Sequence, residues 1–359
     1  MTVFETYRNH LSLDGLQHFI SIGEGNTPLV RSNRIGIELG LSNLYFKLEH
    51  LNPSGSYKDR FASLAVSQLK AHNADVCLAT SSGNTGAALA AYAAVAGIPC
   101  HIAIVDGAPI GKLRQMQEYG AKLWMVKDFG KDASKTQAVI NDLENLATSC
   151  NSLVQISAFK YSPFGMQGVQ TIAYEIMDQL PSVAHVFSPA GGGGLTLALT
   201  KGFRVFDEGP SIHCVQPFGN NTISGPLREG FEKAQRIESS TTQISGLQVP
   251  SVIDGDAVVR ECRHTGGNGS LVNDQEVYFW QQQMITKEGI YCEPAGAVAM
   301  AGLKYALDKG EIHPNQSIVC LVTGHGFKDV KSMEKHLTNN PIGYISDIYE
   351  LKKFLHEKN

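Results

Sequence analysis

The sequence predicts an α/β protein of two lobes, each an open, largely parallel sheet flanked by helices. Three features carry this expectation. The chain has 359 residues, more than a single hydrophobic core usually serves. Short apolar runs alternate with amphipathic stretches and punctuating glycines through most of its length, the pattern of strand and helix units wound around a parallel sheet. Most of the apolar runs are also too short and too continuous for surface hairpins, and they fit strands buried on both faces.

In chain order, apolar runs at 44–48, 76–80, 100–105, 122–126, 153–156, 185–188, 212–216 and 318–323 read as strands. The stretches between and after them, 56–71, 84–96, 112–119, 134–148, 168–179, 194–204, 274–286 and 294–307, carry helical character. The segment 220–250 is rich in Ser, Thr, Gly and Gln with little apolar periodicity, and reads as a loop-rich insertion or a mobile edge. The stretch 345–359 reads as a short amphipathic helix with a charged tail.

Composition narrows the partners. Hydrophobic residues make up 43% and charged ones 18%, below the roughly one quarter typical of globular domains, which points to much buried surface and argues against disorder. Thirty Lys plus Arg against thirty-four Asp plus Glu give a net charge of -4 without blocks of one sign, which argues against nucleic acid and anionic membrane and for a small-molecule partner. No run approaches the roughly 20 residues that cross a bilayer. Residues 1–21 lack the apolar core of a secretory signal. The seven cysteines are scattered, with no C-x-x-C pair, and read as small apolar residues of a reducing compartment. The cytoplasm is the expected location.

Four segments carry chemistry. Asn52-Pro53-Ser54-Gly55-Ser56-Tyr57-Lys58-Asp59-Arg60 is a turn that delivers Lys58 into the first turn of an alanine-rich helix. Helix N-termini favour anions, so the backbone there disfavours the ammonium form and helps supply the free amine that a Schiff base requires. The bland alternative is a solvated surface lysine. Ser81-Ser82-Gly83-Asn84-Thr85-Gly86 follows a strand and opens a helix, giving N–H groups and short hydroxyls suited to a carboxylate or phosphate, or else an ordinary N-cap.

Pro189-Ala190-Gly191-Gly192-Gly193-Gly194-Leu195 again joins a strand to a helix. Its glycines let backbone amides close around a phosphate. It lacks the Walker lysine and a clean G-x-G-x-x-G spacing, so nucleotide binding is the weaker version of this signal, and a flexible hinge fits as well. Finally, the run 318–323 ends at Thr323 before Gly324-His325-Gly326. A neutral hydroxyl at that strand end can hydrogen-bond a ring nitrogen without transferring a full proton, or merely cap the turn.

With these segments in this order, the chain resembles the fold-type II pyridoxal-phosphate enzymes, which have a tryptophan synthase β-like fold. It is most similar to their threonine synthase branch, over residues 23–329. The resemblance implies pyridoxal 5'-phosphate as cofactor and Lys58 as its lysine and proton shuttle. It implies that Asn84 holds the pyridine 3-oxygen, that Gly191, Gly192, Gly193, Gly194 and Leu195 hold the phosphate, and that Thr323 meets the ring nitrogen. Ser81, Ser82 and Thr85 would take the substrate carboxylate. Glu24-Gly25-Asn26-Thr27-Pro28-Leu29 and Glu293-Pro294-Ala295-Gly296-Ala297 fit further family motifs, with Glu293 an active-site neighbour. No metal ligand is implied, and a homodimer is expected by analogy. Informed in part by this resemblance, the smaller lobe is placed at 48–150 and the larger, cofactor-binding lobe at 1–47 with 151–359.

Two departures bear on the substrate. Threonine synthases that use phosphohomoserine carry an arginine for the substrate phosphate in the stretch matching Ser162-Pro163-Phe164-Gly165-Met166-Gln167-Gly168, and here that place is Gly165. A charge-assisted pair of this kind contributes roughly 1.5 to 3 kcal/mol, which puts phosphohomoserine in doubt. Lys160 is a nearby replacement, but as a point charge it orients a phosphate less well. The glycine loop, in turn, is closer to the G-G-G-G-L of serine and threonine dehydratases. The expected activity is elimination or replacement on a small α-amino acid, threonine synthase-like. The alternatives are a serine/threonine dehydratase releasing a 2-oxo acid, a β-replacement synthase of the cysteine synthase type, and a non-catalytic protein that binds phosphate or cofactor.

Overall fold

A computed structural model describes residues 1–13, 15–81, 83–106, 108, 110–130, 133–334 and 342–352, without side chains at 110–112 and 133. Its strands are β1 (Leu29–Arg31), β2 (Leu44–Lys47), β3 (Cys77–Thr80), β4 (Cys100–Ile104), β5 (Lys122–Met125), β6 (Val154–Gln155), β7 (Val183–Pro189), β8 (Ser211–Pro217), β9 (Gly269–Val272) and β10 (Ser317–Leu321). Its helices are α1 (Val3–Thr6), α2 (Ile35–Glu38), α3 (Lys58–Ala71), α4 (Asn84–Ala96), α5 (Ile110–Glu118), α6 (Ala133–Ser149) and α7 (Pro163–Gln179), followed by α8 (Gly194–Phe203), α9 (Ser224–Arg228), α10 (Gly255–His264), α11 (Asp274–Glu288), α12 (Pro294–Asp308) and α13 (Val330–Glu334).

The strands form two sheets. One has the order β1-β2-β10-β7-β8-β9 and is parallel except for β1, which runs antiparallel to β2. The other has the order β5-β4-β3-β6 and is parallel throughout. Side chains of β10 show why its sequence is a continuous apolar run. Val319 and Leu321 enter one core with α3, α7 and α8, while Ile318 and Cys320 enter another with α12. A strand covered on both faces has no polar side to display. The first of those cores also takes in α4 and the inner residues of β3 and β4, so helices of both sheets share it.

All eight predicted strands and eight predicted helices are present, with shifted ends. The lysine helix begins at Lys58 rather than at 56, and α7 begins at Pro163 rather than at 168, with proline in its first turn, where the missing N–H costs nothing. Strands β1 and β9 and helices α1, α2, α10 and α13 have no predicted counterpart. Segment 220–250 contains α9 and is otherwise irregular, but it is no mobile edge: Asn220, Thr222, Ile223, Leu227 and Ile244 are buried. Of the expected C-terminal helix, the structure describes a 3-10 turn at Ile348–Glu350, and 353–359 lie outside the described residues. The seven cysteines are free thiols. Among the described residues no helix is long and apolar enough to cross a membrane.

Candidate active site

Lys58 is the first residue of α3, and the loop before it is fastened from several sides. Tyr57 N donates to Thr323 O at 3.1 Å, His325 N donates to Gly55 O at 2.9 Å, and Ser56 forms a bridge with Gly324. Gly55 has φ +89°, a conformation that suits glycine. The Asp59 carboxylate accepts from Ser54 N (3.1 Å) and Ser54 Oγ (2.8 Å), and Lys328 Nζ donates to Ser54 O at 2.7 Å. Burial pushes the Asp59 carboxyl up to about 6 despite these bonds, and burial also lowers Lys328.

Behind the loop lies a buried ionic cluster. Arg60 makes a two-bond fork to Glu49 (2.8 and 2.7 Å) and another to Glu175 (2.6 and 2.8 Å), and Lys47 Nζ donates to Glu175 at 2.6 Å. Burial works against ionisation of Glu175, but the charges and hydrogen bonds of Arg60 and Lys47 outweigh it and hold the carboxyl at about 2. Glu49 also accepts from Asn52 and Thr27, and Asn52 accepts from Gly25 N. The cluster therefore joins the motifs around residues 24–29 and 52–60 to the helix that carries Lys58.

The Lys58 amine is half-buried and donates to Ser157 Oγ at 2.6 Å, and Ser157 Oγ is 2.9 Å from Thr85 Oγ1. Two of the sequence motifs thus meet through a residue that belongs to neither. Ser81 Oγ accepts from Gly83 N (3.2 Å) and Gly86 N (3.0 Å), the local contacts of a cap on α4. Ser82 lies outside the described residues. Asn84 Nδ2 donates to Glu293 Oε1 at 2.7 Å, and Glu293 N donates to Gly324 O at 3.0 Å. A side chain at residue 324 would begin 2.1 Å from Glu293 Oε1 and 3.1 Å from Asn84 Nδ2, so this approach requires glycine. Thr323, beside it, is buried.

The glycine loop lies against the same residues: a Cβ built on Gly194 would be 3.1 Å from Ser157 O and 3.3 Å from Asp254 Oδ2. The first three of the four glycine carbonyls are engaged, with Gly191 O accepting from Gln216 Nε2 (3.1 Å), Gly192 O from Asp254 N (3.1 Å) and Gly193 O from Leu197 N (2.9 Å). Among the described residues, the amides of Gly191 to Leu195 find no protein acceptor. A row of free donors at the start of α8 is the chemistry of an anion site. The Asp254 carboxylate accepts from Phe159 N and Lys160 N, and burial raises its pKa.

Gly165 has a packing role beside the one its sequence position implies. It lies in the first turn of α7, and its Cβ would be 2.8 Å from Phe61 Cε2 and 2.9 Å from Ala65 Cβ. One turn on, a Cβ at Gly168 would be 2.1 Å from Arg60 O. Together the two glycines let α7 close on α3, so the absent arginine reflects helix packing as well as ligand chemistry. Lys160 is exposed, with its amine over the Tyr161 ring at 5.1 Å.

Sequence reasoning missed Ser157, Asp254 and Gln216. Ser157 and Gln216 lie at or just beyond the carboxyl ends of β6 and β8, where open α/β sheets place their ligand-binding groups, and that rule was the available signal. Asp254 precedes α10, which was itself unrecognised.

A family model described as "Pyridoxal-phosphate dependent enzyme" matches residues 20–324. A threonine synthase of Methanocaldococcus jannaschii is 33% identical over 98% of this chain and 86% of its own length. This chain belongs to the pyridoxal-phosphate-dependent enzyme family. A threonine synthase of Halalkalibacterium halodurans, 30% identical over 94% of this chain and 93% of its own, belongs with it. In fold the protein is similar to maize serine racemase (TM-score 0.74, 23% identity, 88% of this chain and 93% of that one). It is equally similar to the processed threonine deaminase isoform 2 of Solanum lycopersicum (TM-score 0.74, 22% identity, 92% and 87%). The protein is thus a threonine synthase-like enzyme of the lyase class with the fold-type II architecture, and its cofactor is pyridoxal 5'-phosphate. The residues present fit that cofactor: a row of free amides for a phosphate, and a lysine amine whose hydrogen-bond partner is a neutral hydroxyl.

Proposed function

We propose that the recess around Lys58 catalyses elimination or replacement on a small α-amino acid, with a leaving group other than phosphate. The observation that carries this reading is the Lys58 Nζ, Ser157 Oγ, Thr85 Oγ1 chain opening beside the unpartnered amides of Gly191 to Leu195. When bound, the cofactor supplies an electron sink for the bond broken at the substrate Cα. Lys58 Nζ would be its attachment point and the amine that takes up the substrate α-proton, with Ser157 Oγ, its hydrogen-bond partner at 2.6 Å, aiming it. Gly191, Gly192, Gly193, Gly194 and Leu195 hold the phosphate, Asn84 the 3-oxygen, and the Thr323 hydroxyl the ring nitrogen. Ser81, Ser82 and Thr85 receive the substrate carboxylate, and the neutral Thr323 favours elimination over transamination.

Two observations weigh against phosphohomoserine. Phe61 and Ala65 fill the space beside Gly165, and the side chain of Asp254 that approaches the glycine loop, with Oδ2 3.3 Å from a Cβ built on Gly194, is an acid. A serine/threonine dehydratase is the second reading, favoured by the uninterrupted four-glycine loop. We further propose a smaller lobe at residues 48–150, a cofactor-binding lobe in the remainder, and a cytoplasmic homodimer; sedimentation velocity tests the dimer. The decisive experiment incubates the holoenzyme with phosphohomoserine, threonine, serine and O-acetylserine and identifies products by mass. A 2-oxo acid and ammonia from serine or threonine select the dehydratase, and an exchanged β-substituent on O-acetylserine selects replacement. Efficient threonine formation from phosphohomoserine overturns the proposal on the leaving group.

A further inference from the structure

Gln216, the last residue but one of β8, lies beneath the glycine loop, is fully buried, and has every polar position of its carboxamide engaged. Oε1 accepts from Thr222 N (3.2 Å), Ile223 N (2.7 Å) and Ser224 N (2.9 Å). Three converging backbone donors fix which end of the carboxamide faces them. The Nε2 end therefore has two donors left, and they go to Gly191 O (3.1 Å) and Thr222 Oγ1 (3.0 Å).

The bond to Gly191 O has a directional consequence. In a planar trans peptide the C=O and the following N–H point in opposite directions, so a carbonyl held towards Gln216 aims the Gly192 N–H to the far side. The same holds one and two residues on, where Asp254 N holds Gly192 O and Leu197 N holds Gly193 O. Three successive amides are thus oriented by three anchors. Two of those anchors are backbone groups, which any residue supplies. The third is a side chain, and among uncharged residues of this length only glutamine offers both the acceptor for 222–224 and the donor for Gly191.

We propose that Gln216 is a positioning residue for the cofactor phosphate: it sets the Gly191 peptide so that the Gly192 amide is presented to the anion. This rests on the reading of Gly191 to Leu195 as the phosphate site. Gln216 touches neither cofactor nor substrate, so its effect falls on affinity for the phosphorylated cofactor and leaves the cofactor's ring contacts alone.

The test is Gln216→Glu, which keeps the oxygen that accepts from residues 222–224 but replaces the donor facing Gly191 O by an acceptor. Full-length protein freed of cofactor is titrated with pyridoxal 5'-phosphate and, separately, with pyridoxal, which lacks the phosphate. The variant is expected to bind pyridoxal 5'-phosphate about ten- to a hundredfold more weakly than the unaltered chain, the range of one hydrogen bond to a charged group, with pyridoxal binding changed less than threefold. A variant that retains the full preference for the phosphorylated form, or loses both ligands equally, overturns the proposal. If the unaltered chain itself shows no preference for the phosphorylated form, the phosphate-site reading fails instead. Should Q216E not fold, hydrogen exchange on the unaltered apoprotein with inorganic phosphate decides. Joint slowing at the Gly192 amide and the Gln216 side-chain amide is expected, and slowing at Gly192 alone overturns it.

Discussion

Asn84 Nδ2 and Glu293 Oε1 lie 2.7 Å apart, and they meet because residue 324 between them has no side chain. Gly324→Ala would place a methyl group 2.1 Å from that carboxylate oxygen and separate the pair. We expect kcat/KM to fall by about tenfold or more, the size of one charge-assisted hydrogen bond, with the circular dichroism of the fold retained. Glu293→Ala combined with Gly324→Ala removes the clash, so the double variant should lose less than the two single losses summed; strict additivity in the cycle would show that the contact is not shared.

Ser157→Ala removes the acceptor of the Lys58 amine and leaves Lys58, Thr85 and the glycine loop in place. The expected outcome is a fall in kcat of roughly ten- to a hundredfold with little change in KM, partly restored by Ser157→Thr. Steady-state kinetics on the three proteins checks it, and an equal loss in Ser157→Thr would assign Ser157 to packing.

The ionic cluster behind Lys58 predicts an acid-dependent stability. Glu175 has its carboxyl at about 2 in the folded chain against an ordinary 4.5. A depressed carboxyl stabilises fully above the unfolded value and loses that contribution as the pH falls through the folded one, here between about 4.5 and 2. Glu175→Gln breaks the buried pairs with Arg60 and Lys47 and should cost about 3–5 kcal/mol at neutral pH. Urea unfolding at stepped pH should show the gap to the unaltered protein closing below pH 4.5. A gap that stays constant down to pH 2 contradicts this account of the cluster.

Gly165→Arg tests the packing reading of α7. The new side chain meets Phe61 and Ala65, so we expect about 1–3 kcal/mol of destabilisation and no gain of activity on phosphohomoserine. Phe61→Ala alone empties part of the core and should also destabilise, while the pair Phe61→Ala, Gly165→Arg should be more stable than the sum of the single effects predicts. Thermal unfolding of the four proteins measures the coupling, and its absence would mean that residues 61 and 165 do not share space.

Much of this architecture was legible in the residues, for physical reasons. Strands such as β7 and β10 are buried on both faces and so advertise themselves as apolar runs. Lys58 and the Gly191 to Gly194 run have few uses other than chemistry or tight turning. What escaped notice lacks such signals. β1 is a three-residue edge strand, and β9 opens on glycine where a Cβ at Gly269 would meet Ser224 O at 1.9 Å, a constraint set by tertiary packing. Gly165 shows how one position can carry two constraints: the missing arginine is visible in the sequence, but its packing against Phe61 and Ala65 is not. Ser157, Asp254 and Gln216 meet Lys58, Phe159 and Gly191 across 99, 95 and 25 residues of chain, contacts that local spacing does not reveal.

Lys58 as the covalent anchor is the claim on which the other roles depend. Reduction of the holoenzyme with borohydride, proteolysis and peptide mass spectrometry locate the pyridoxyl group directly. A single modified peptide carrying the added mass on Lys58, lost in Lys58→Ala together with turnover, is the predicted result. A pyridoxyl group on Lys328, Lys160 or any other side chain, or normal turnover by Lys58→Ala, would contradict it.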